Sequence, residues 1–175
     1  MSGALSIPAS DPWPDLRARS TAPELLDASL PESEVRKSLA DLRFVNRWLG
    51  SRRGLLRAMA PYLPPRGASL FLHHFDAGEL PGLLRDLGQF ARRAIVVSDL
   101  RRALVPYLFG RATFPLLFKT RVSVHDGLVS IRRAFRDEEL RAAFAAAGMP
   151  AVEIRRVFPY RLVAVAAVHD SREAA

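Results

Sequence analysis

The chain has 175 residues, 49% hydrophobic and 25% charged, a composition typical of a folded protein with one or two small domains. It has no cysteine, which excludes disulfides, thiolate metal sites and cysteine nucleophiles, and only four histidines, so we expect no metal site. No apolar run reaches the roughly 20 residues of a membrane helix, and the N-terminus lacks the features of a secretory signal. We therefore expect a cytoplasmic protein without a membrane span.

The formal net charge is +8, from 26 basic and 18 acidic residues. A strongly basic chain is often a nucleic-acid binder. Here, however, the arginines are scattered along the whole chain, and no basic stripe alternates with aromatic residues. We interpret the arginines as solvated helix faces and do not expect a nucleic-acid partner.

The first 66 residues predict a leader followed by two helices. Residues 1–28 are rich in proline, serine and alanine, which predicts a flexible leader. Residues 29–66 predict a helical hairpin, whose first helix ends at Gly50 and whose second stops at Pro64. The first helix is amphipathic, because apolar residues recur at spacings of three and four: Val35, Leu39, Leu42, Val45 and Leu49.

Residues 67–170 have the pattern of an α/β domain. Short apolar strands are predicted over 69–75 and 94–98, and a helix from Leu80 onwards lies between them as in a βαβ unit. Residues 100–119 are apolar but interrupted by prolines, which favours two short helices or a lid. A last helix is predicted to open at Asp137 and stop at Gly148, and the β-rich segments 152–158 and 160–168 predict an antiparallel hairpin.

In this order the segments resemble the C-terminal half of class I S-adenosylmethionine-dependent methyltransferases, nearest to the small-molecule enzymes of bacterial secondary metabolism. The resemblance covers most of residues 23–168. It implies a truncated Rossmann-like sheet that keeps strands four to seven of the family order 3-2-1-4-5-7-6, with 69–75 as strand four. The segments that carry it are PELLD at 23–27, SLFLHHF at 69–75, AIVVSDL at 94–100 and HDGLVSIRRAF at 125–135.

One part of the family pattern is missing from this chain. In the family a first strand and a glycine-rich loop follow the helical preface, and an acidic residue holds the ribose of the cofactor. Here residues 63–68 lead directly into 69–75, and no GxG occurs anywhere. The resemblance therefore implies methyl transfer to a small hydrophobic acceptor as the ancestral reaction, with S-adenosylmethionine binding and catalysis impaired.

A second interpretation comes from another class of protein. Without the first three strands, 69–75 would be an apolar edge strand, and such edges invite pairing with another chain. The protein would then be a non-catalytic interaction module that pairs with a second copy or with a full-length relative.

The resemblance and the positions of polar residues also give candidate site residues. His74 is the first candidate for an acid/base group, because it ends a predicted strand where α/β proteins bind ligands, and His125 is the second. Asp99 and Arg133 are candidates for substrate contacts. By resemblance, the residues nearest the cofactor are Ser69, Leu70 and His73.

Each candidate also has a structural interpretation. The two adjacent histidines would be a packed and a capping residue, and Asp99 would cap a helix over residues 100–109. His125 would sit in a surface turn closed by Asp126. Arg133 would belong to a solvated helix face.

Overall fold

The computed structural model describes residues 14–48, 72–91 and 93–168. These residues form a mixed α/β structure that divides into two compact units. Within the described residues, unit 1 contains 14–48 and 102–133, and unit 2 contains 72–91, 93–101 and 134–168. The predicted domain limit between residues 66 and 67 lies outside the described residues, so the predicted domain limits stay a prediction.

The described helices are α1 (Glu32–Trp48), α2 (Leu80–Phe90), α3 (Leu104–Leu117), α4 (Arg121–Arg133) and α5 (Asp137–Ala146). The strands are β1 (Ala94–Leu100), β2 (Glu153–Val157) and β3 (Arg161–Ala167). Short 3-10 turns also occur at Leu25–Asp27 and Leu72–His74. None of the described helices combines the length and the apolar character needed to cross a bilayer.

The sheet of unit 2 has the strand order β1-β3-β2, and β3 is antiparallel to both neighbours. Ala164 of β3 faces Val97 of β1 on one side and Ile154 of β2 on the other. The chain turns between β2 and β3 at Phe158–Pro159, a cis peptide bond. The predicted α/β class and the predicted antiparallel hairpin at the end of the chain are confirmed.

The core of unit 2 is apolar and lies between one face of the sheet and helices α2 and α5. Every second residue of β1 and β3 points into this core, where it packs against the apolar residues that recur every three or four positions along α2 and α5. The predicted last helix is confirmed, because α5 opens at Asp137 and the chain leaves it at Gly148 with a positive φ of 87°. The leucine and phenylalanine side chains of this core that are at most 1% exposed are Leu72, Leu80, Leu84, Leu140, Phe144 and Leu162.

The strand predicted over 69–75 is wrong in the part that the structure describes. Leu72–His74 form a 3-10 turn, and the N–H of Phe75 donates to the carbonyl of Leu72 at 3.0 Å. The N–H of His73 donates to the Asp99 carboxylate rather than to a neighbouring strand. The Asp99 side chain therefore takes the place of a neighbouring strand. The predicted pairing of two chains through 69–75 is not supported by residues 72–75. Ser69, Leu70 and Phe71 lie outside the described residues.

Residues 100–119 contain one helix, α3 (Leu104–Leu117), rather than two. Pro106 lies in the first turn of α3, where the missing N–H is not needed, and the helix continues through Pro115 to Leu117. The surface turn predicted at His125–Gly127 is also wrong, because these residues lie inside α4. A Cβ at Gly127 would stand 2.8 Å from the ring of Phe114, so this glycine serves the close packing of α3 on α4 instead of a turn.

Helix α1 is confirmed as a helix, but its apolar positions do not all point inward. Leu39 and Leu42 are 44% and 43% exposed, whereas Ser38 and Asp41 are buried. The carboxylate of Asp41 accepts the N–H groups of Lys119 and Thr120 at 3.0 and 3.2 Å, where α4 begins. Helix α1 is therefore held to α4 through a polar cap that hydrophobic periodicity does not reveal.

Residues 14–28 lie against the helices of unit 1, although the sequence predicts a flexible leader there. The guanidinium of the buried Arg102 donates to the carbonyls of Leu16 and Arg17. The N–H of Ser20 donates to the carbonyl of Arg132 at 3.1 Å. Main-chain groups of this segment are thus paired with distant residues, which positions the Leu25–Asp27 turn on α4.

Candidate functional site

A histidine–aspartate pair lies at the carboxyl end of β1 in unit 2. The Nδ1 of His73 lies 2.5 Å from Oδ1 of Asp99, and the main-chain N–H of His73 donates to Oδ2 at 2.7 Å. Both residues are almost fully buried, at 5% and 2% exposure. The N–H of Leu100 also donates to Asp99. The two oxygens of the Asp99 carboxylate therefore accept two main-chain N–H groups, and one of them also contacts the His73 ring.

The strand pattern explains why the Asp99 side chain meets the turn at 72–74. Asp99 is paired with Leu162 of β3 and follows Ile95 and Val97 at period two, so it points to the same face as the apolar core. Leu72 is fully buried in that core and precedes His73 directly. Burial of Leu72 in the core therefore places the adjacent His73 beside the Asp99 carboxylate.

His74 is the solvent-facing member of the site. It is exposed, whereas the adjacent His73 is buried. The two imidazole rings have centroids 4.3 Å apart and are tilted by 36°. The two rings are therefore in contact, and the 3-10 turn carries both of them near the carboxyl end of β1.

Arg161 and Ser98 lie near the pair but on the other face of the sheet, because Arg161 is opposite Leu100 in the β1–β3 register. The Arg161 guanidinium donates to the hydroxyl of Ser98 at 3.3 Å and to its carbonyl at 3.2 Å. Burial lowers the pKa of Arg161 from its ordinary value, and the charge of Asp99 opposes that shift. Arg161 is not among the site residues predicted from the sequence; the available signal was its place at the start of a strand whose next same-face residues, Val163 and Val165, are apolar.

This arrangement is suited to a chemical role and to a structural one. A carboxylate at Nδ1 fixes the ring orientation and the tautomer of a histidine, which is how acid/base histidines are commonly positioned. The same contacts also fasten the 72–74 turn to β1, because the Asp99 carboxylate accepts the main-chain N–H of His73 in the turn and that of Leu100 in the strand. The two roles differ in what a substitution of His74 does, since the hydrogen bonds that fasten the turn join Asp99 to His73.

A second histidine–aspartate pair lies in unit 1, on α4. The Nδ1 of His125 lies 2.9 Å from Oδ1 of Asp126. The same carboxylate accepts the N–H groups of Leu25 and Leu26 at 2.7 and 2.8 Å. Asp126 therefore caps the turn at Leu25–Asp27, and the acid/base role of His125 stays a prediction.

The predicted substrate residue Arg133 ends α4, and its side chain is half-buried. Its carbonyl accepts the Nε–H of Arg19 at 2.6 Å. Close by, the hydroxyl of Ser130 donates to the carboxylate of Glu24 at 2.7 Å. The described contacts of Arg133 and its neighbours hold residues 19–26 in place, and its substrate role stays a prediction.

The structure brings three predicted site residues together, namely His73, His74 and Asp99. The helix-cap interpretation of Asp99 is wrong, because Asp99 lies inside β1 and α3 begins at Leu104 with Ala103 as its cap. His125 and Arg133 belong to unit 1. Of the residues assigned to the cofactor by resemblance, Ser69 and Leu70 lie outside the described residues.

The described residues do not fit S-adenosylmethionine. His73, the one described member of the predicted cofactor set, has its N–H and Nδ1 engaged with Asp99. Asp99 in turn accepts main-chain N–H groups with both oxygens, so it is poorly placed to take ribose hydroxyls as well.

The chain was also compared with known proteins. No family model, no curated protein and no solved structure matches it.

Proposed function

We propose that this chain is a methyltransferase-type protein that binds a small hydrophobic acceptor beside His74, with an oxygen or carbon atom as the nucleophile. The observation that carries the proposal is the strand order β1-β3-β2 with β3 antiparallel to both neighbours. The resemblance implies the order 5-7-6 for the last three strands, and the order found here corresponds to it strand by strand.

The position of the histidines supports the same proposal. In α/β proteins, ligands bind outside the carboxyl ends of the strands, and Asp99 is the penultimate residue of β1. His74 is the exposed group at this end, so it is the residue that meets an acceptor. For an acceptor hydroxyl, the O–H bond breaks and the proton moves to an imidazole nitrogen of His74, which leaves the oxygen as the nucleophile.

His73 and Asp99 are positioning residues in this proposal. Both are buried, and their contacts fix the backbone of the turn that carries His74. S-adenosylmethionine is the methyl donor that the resemblance implies, and it would supply the electrophilic methyl group. Since the described residues do not fit it, we assign to this chain the acceptor side of the reaction.

Titration calorimetry with an aromatic hydroxyl compound tests this assignment. The probe is 2-naphthol, added to the full chain, and the heats give its affinity. We expect binding in which the naphthol hydroxyl donates a hydrogen bond to His74. His74→Ala should weaken binding by about tenfold, the worth of roughly one hydrogen bond.

Asp76→Asn is the matched control, because Asp76 is exposed and lies only two residues from His74. It should leave the affinity for 2-naphthol unchanged. Asp99→Asn should weaken binding and also lower the free energy of unfolding, which separates a positioning residue from His74. A folded protein that gives no heat with 2-naphthol, or that binds it equally well after His74→Ala, would overturn the proposal.

A further inference from the structure

Helix α3 exposes an apolar surface on unit 1. Val105 is 63% exposed and Leu116 is 85% exposed, which are high values for such side chains. Residues 105, 109, 112 and 116 follow each other at spacings of four, three and four, so they lie along one side of the helix. We call this side the α3 surface; its large apolar members are Val105, Phe109 and Leu116, and Leu104 and Leu117 at the two ends of the helix are exposed as well, all at least 42%.

The opposite side of α3 is buried against α4, which fixes the direction in which the α3 surface points. Tyr107 is fully buried, and Gly110 lies so close to Phe114 that a Cβ there would stand 2.8 Å from the ring. The Phe114 ring is held in the same way against Gly127 of α4. A helix that is apolar on both sides normally has both sides covered, by protein or by lipid.

The charged side chains of α3 and of the segment that follows it are all basic. Residues 101–125 contain no aspartate or glutamate, and their cations are Arg101, Arg102, Arg111, Lys119 and Arg121. Arg111 lies on α3 itself, and Lys119 and Arg121 follow its end directly. The side chains of these last three are exposed, and none of them forms an ion pair within the described part of the chain.

We propose that the α3 surface binds an anionic lipid surface, with the helix lying in the plane of the membrane interface. Acyl chains would cover the apolar side chains, and anionic headgroups would neutralise Arg111, Lys119 and Arg121. Charge complementarity favours lipid over a second copy, because two copies would bring the same cations together. At 14 residues, α3 is about 21 Å long, shorter than the ~30 Å hydrocarbon core, so it lies on the membrane instead of crossing it.

Flotation with vesicles tests the proposal. The full chain is mixed with vesicles of phosphatidylcholine and phosphatidylglycerol in equal parts, and with vesicles of phosphatidylcholine alone. We expect the chain to bind the anionic vesicles, and we expect binding to fall steeply between about 0.05 M and about 0.5 M salt, because screening weakens the attraction between the cations and the headgroups. Leu116→Asp should abolish it. Replacing Arg111, Lys119 and Arg121 by glutamine should weaken it by about fivefold per cation.

Two controls match these variants. Phe90→Asp places a carboxylate at a residue that is 84% exposed but lies on α2, so it should leave binding unchanged. Replacing the exposed Arg36, Lys37 and Arg43 of α1 by glutamine removes the same charge from another helix and should weaken binding much less. Circular dichroism checks that each variant is folded.

Three results would overturn the proposal. The first is no binding of the folded chain to the anionic vesicles at low salt. The second is binding that Leu116→Asp leaves intact. The third is a dimer in light scattering that Leu116→Asp converts to a monomer while vesicle binding is absent, since a second copy would then cover the α3 surface.

Discussion

In unit 1 buried polar side chains connect the segments, whereas in unit 2 an apolar core connects the sheet and the helices. Asp41, Arg102 and Asp126 are each at most 4% exposed, and each bonds main-chain groups that lie far away in the sequence. The core of unit 2 instead joins Ile95, Val97, Leu140 and Phe144. The two histidine–aspartate pairs also differ. Asp126 of unit 1 caps a turn that is distant in the sequence, whereas Asp99 of unit 2 holds the buried His73 ring beside the exposed His74 ring.

The contrast matters for function because a polar cap and an acid/base pair use the same residue types. Asp126 accepts two N–H groups from residues about a hundred positions earlier, so its carboxylate is engaged in holding the chain. Asp99 also accepts main-chain N–H groups, but it lies at the carboxyl end of a strand with His74 exposed beside it. Position in the fold, and not the pair itself, identifies the functional candidate.

The largest expected effect tests the apolar core of unit 2. Phe144→Ala should lower the free energy of unfolding by about 3 to 5 kcal/mol, because a fully buried ring is removed and a cavity is left. Leu39→Ala in unit 1 is the control, since Leu39 is 44% exposed and should cost less than about 0.5 kcal/mol. Urea unfolding measures both. Equal losses for the two variants would contradict the difference between the units.

A smaller effect tests the polar contacts of unit 1. Asp126→Ala should cost about 2 to 3 kcal/mol, because the N–H groups of Leu25 and Leu26 lose their acceptor. The variant should also be cut faster by trypsin after Arg17 and Arg19, since the segment loses its attachment to α4. Asp15→Ala, which removes an exposed acceptor in the same segment, should leave both measurements nearly unchanged. Unaltered protease resistance of Asp126→Ala would show that the cap does not hold the segment.

The smallest effect tests the close approach of α3 and α4. Gly127→Ala should lower the free energy of unfolding by about 1 kcal/mol, because overpacking against Phe114 outweighs the better helix propensity of alanine. Gly88→Ala is the matched control in α2, where the nearest atom is 4.0 Å away, and it should stabilise the protein by about 0.5 to 1 kcal/mol. Stabilisation by both variants would mean that Phe114 moves aside freely.

Periodicity and turn residues predicted the parts of the fold that apolar burial holds together. The run at 94–98, the helix from Leu80, the start at Asp137 and the stop at Gly148 are all local patterns, and the structure confirms them. The sequence patterns failed where a distant residue decides the local structure. Residues 72–74 form a turn in which Asp99 accepts the His73 N–H, and position 127 of α4 is a glycine because the Phe114 ring leaves no room for a Cβ.

The candidate site shows the same limit. His73, His74 and Asp99 were predicted separately, from their positions after apolar runs, and the structure places them together. Their mutual contacts could not be predicted, because no local pattern links residues 26 positions apart. Arg161 was missed for the same reason, since its contacts to Ser98 depend on the register of β1 and β3.

We propose that this chain keeps the acceptor side of a methyltransferase-type fold without a site for the methyl donor. Calorimetric titration of the purified, folded chain with S-adenosylmethionine and with its demethylated product tests it most directly. We predict no heat of binding with either compound under conditions in which 2-naphthol binds. Micromolar binding of either compound would contradict the claim, because it would require a cofactor site in this chain.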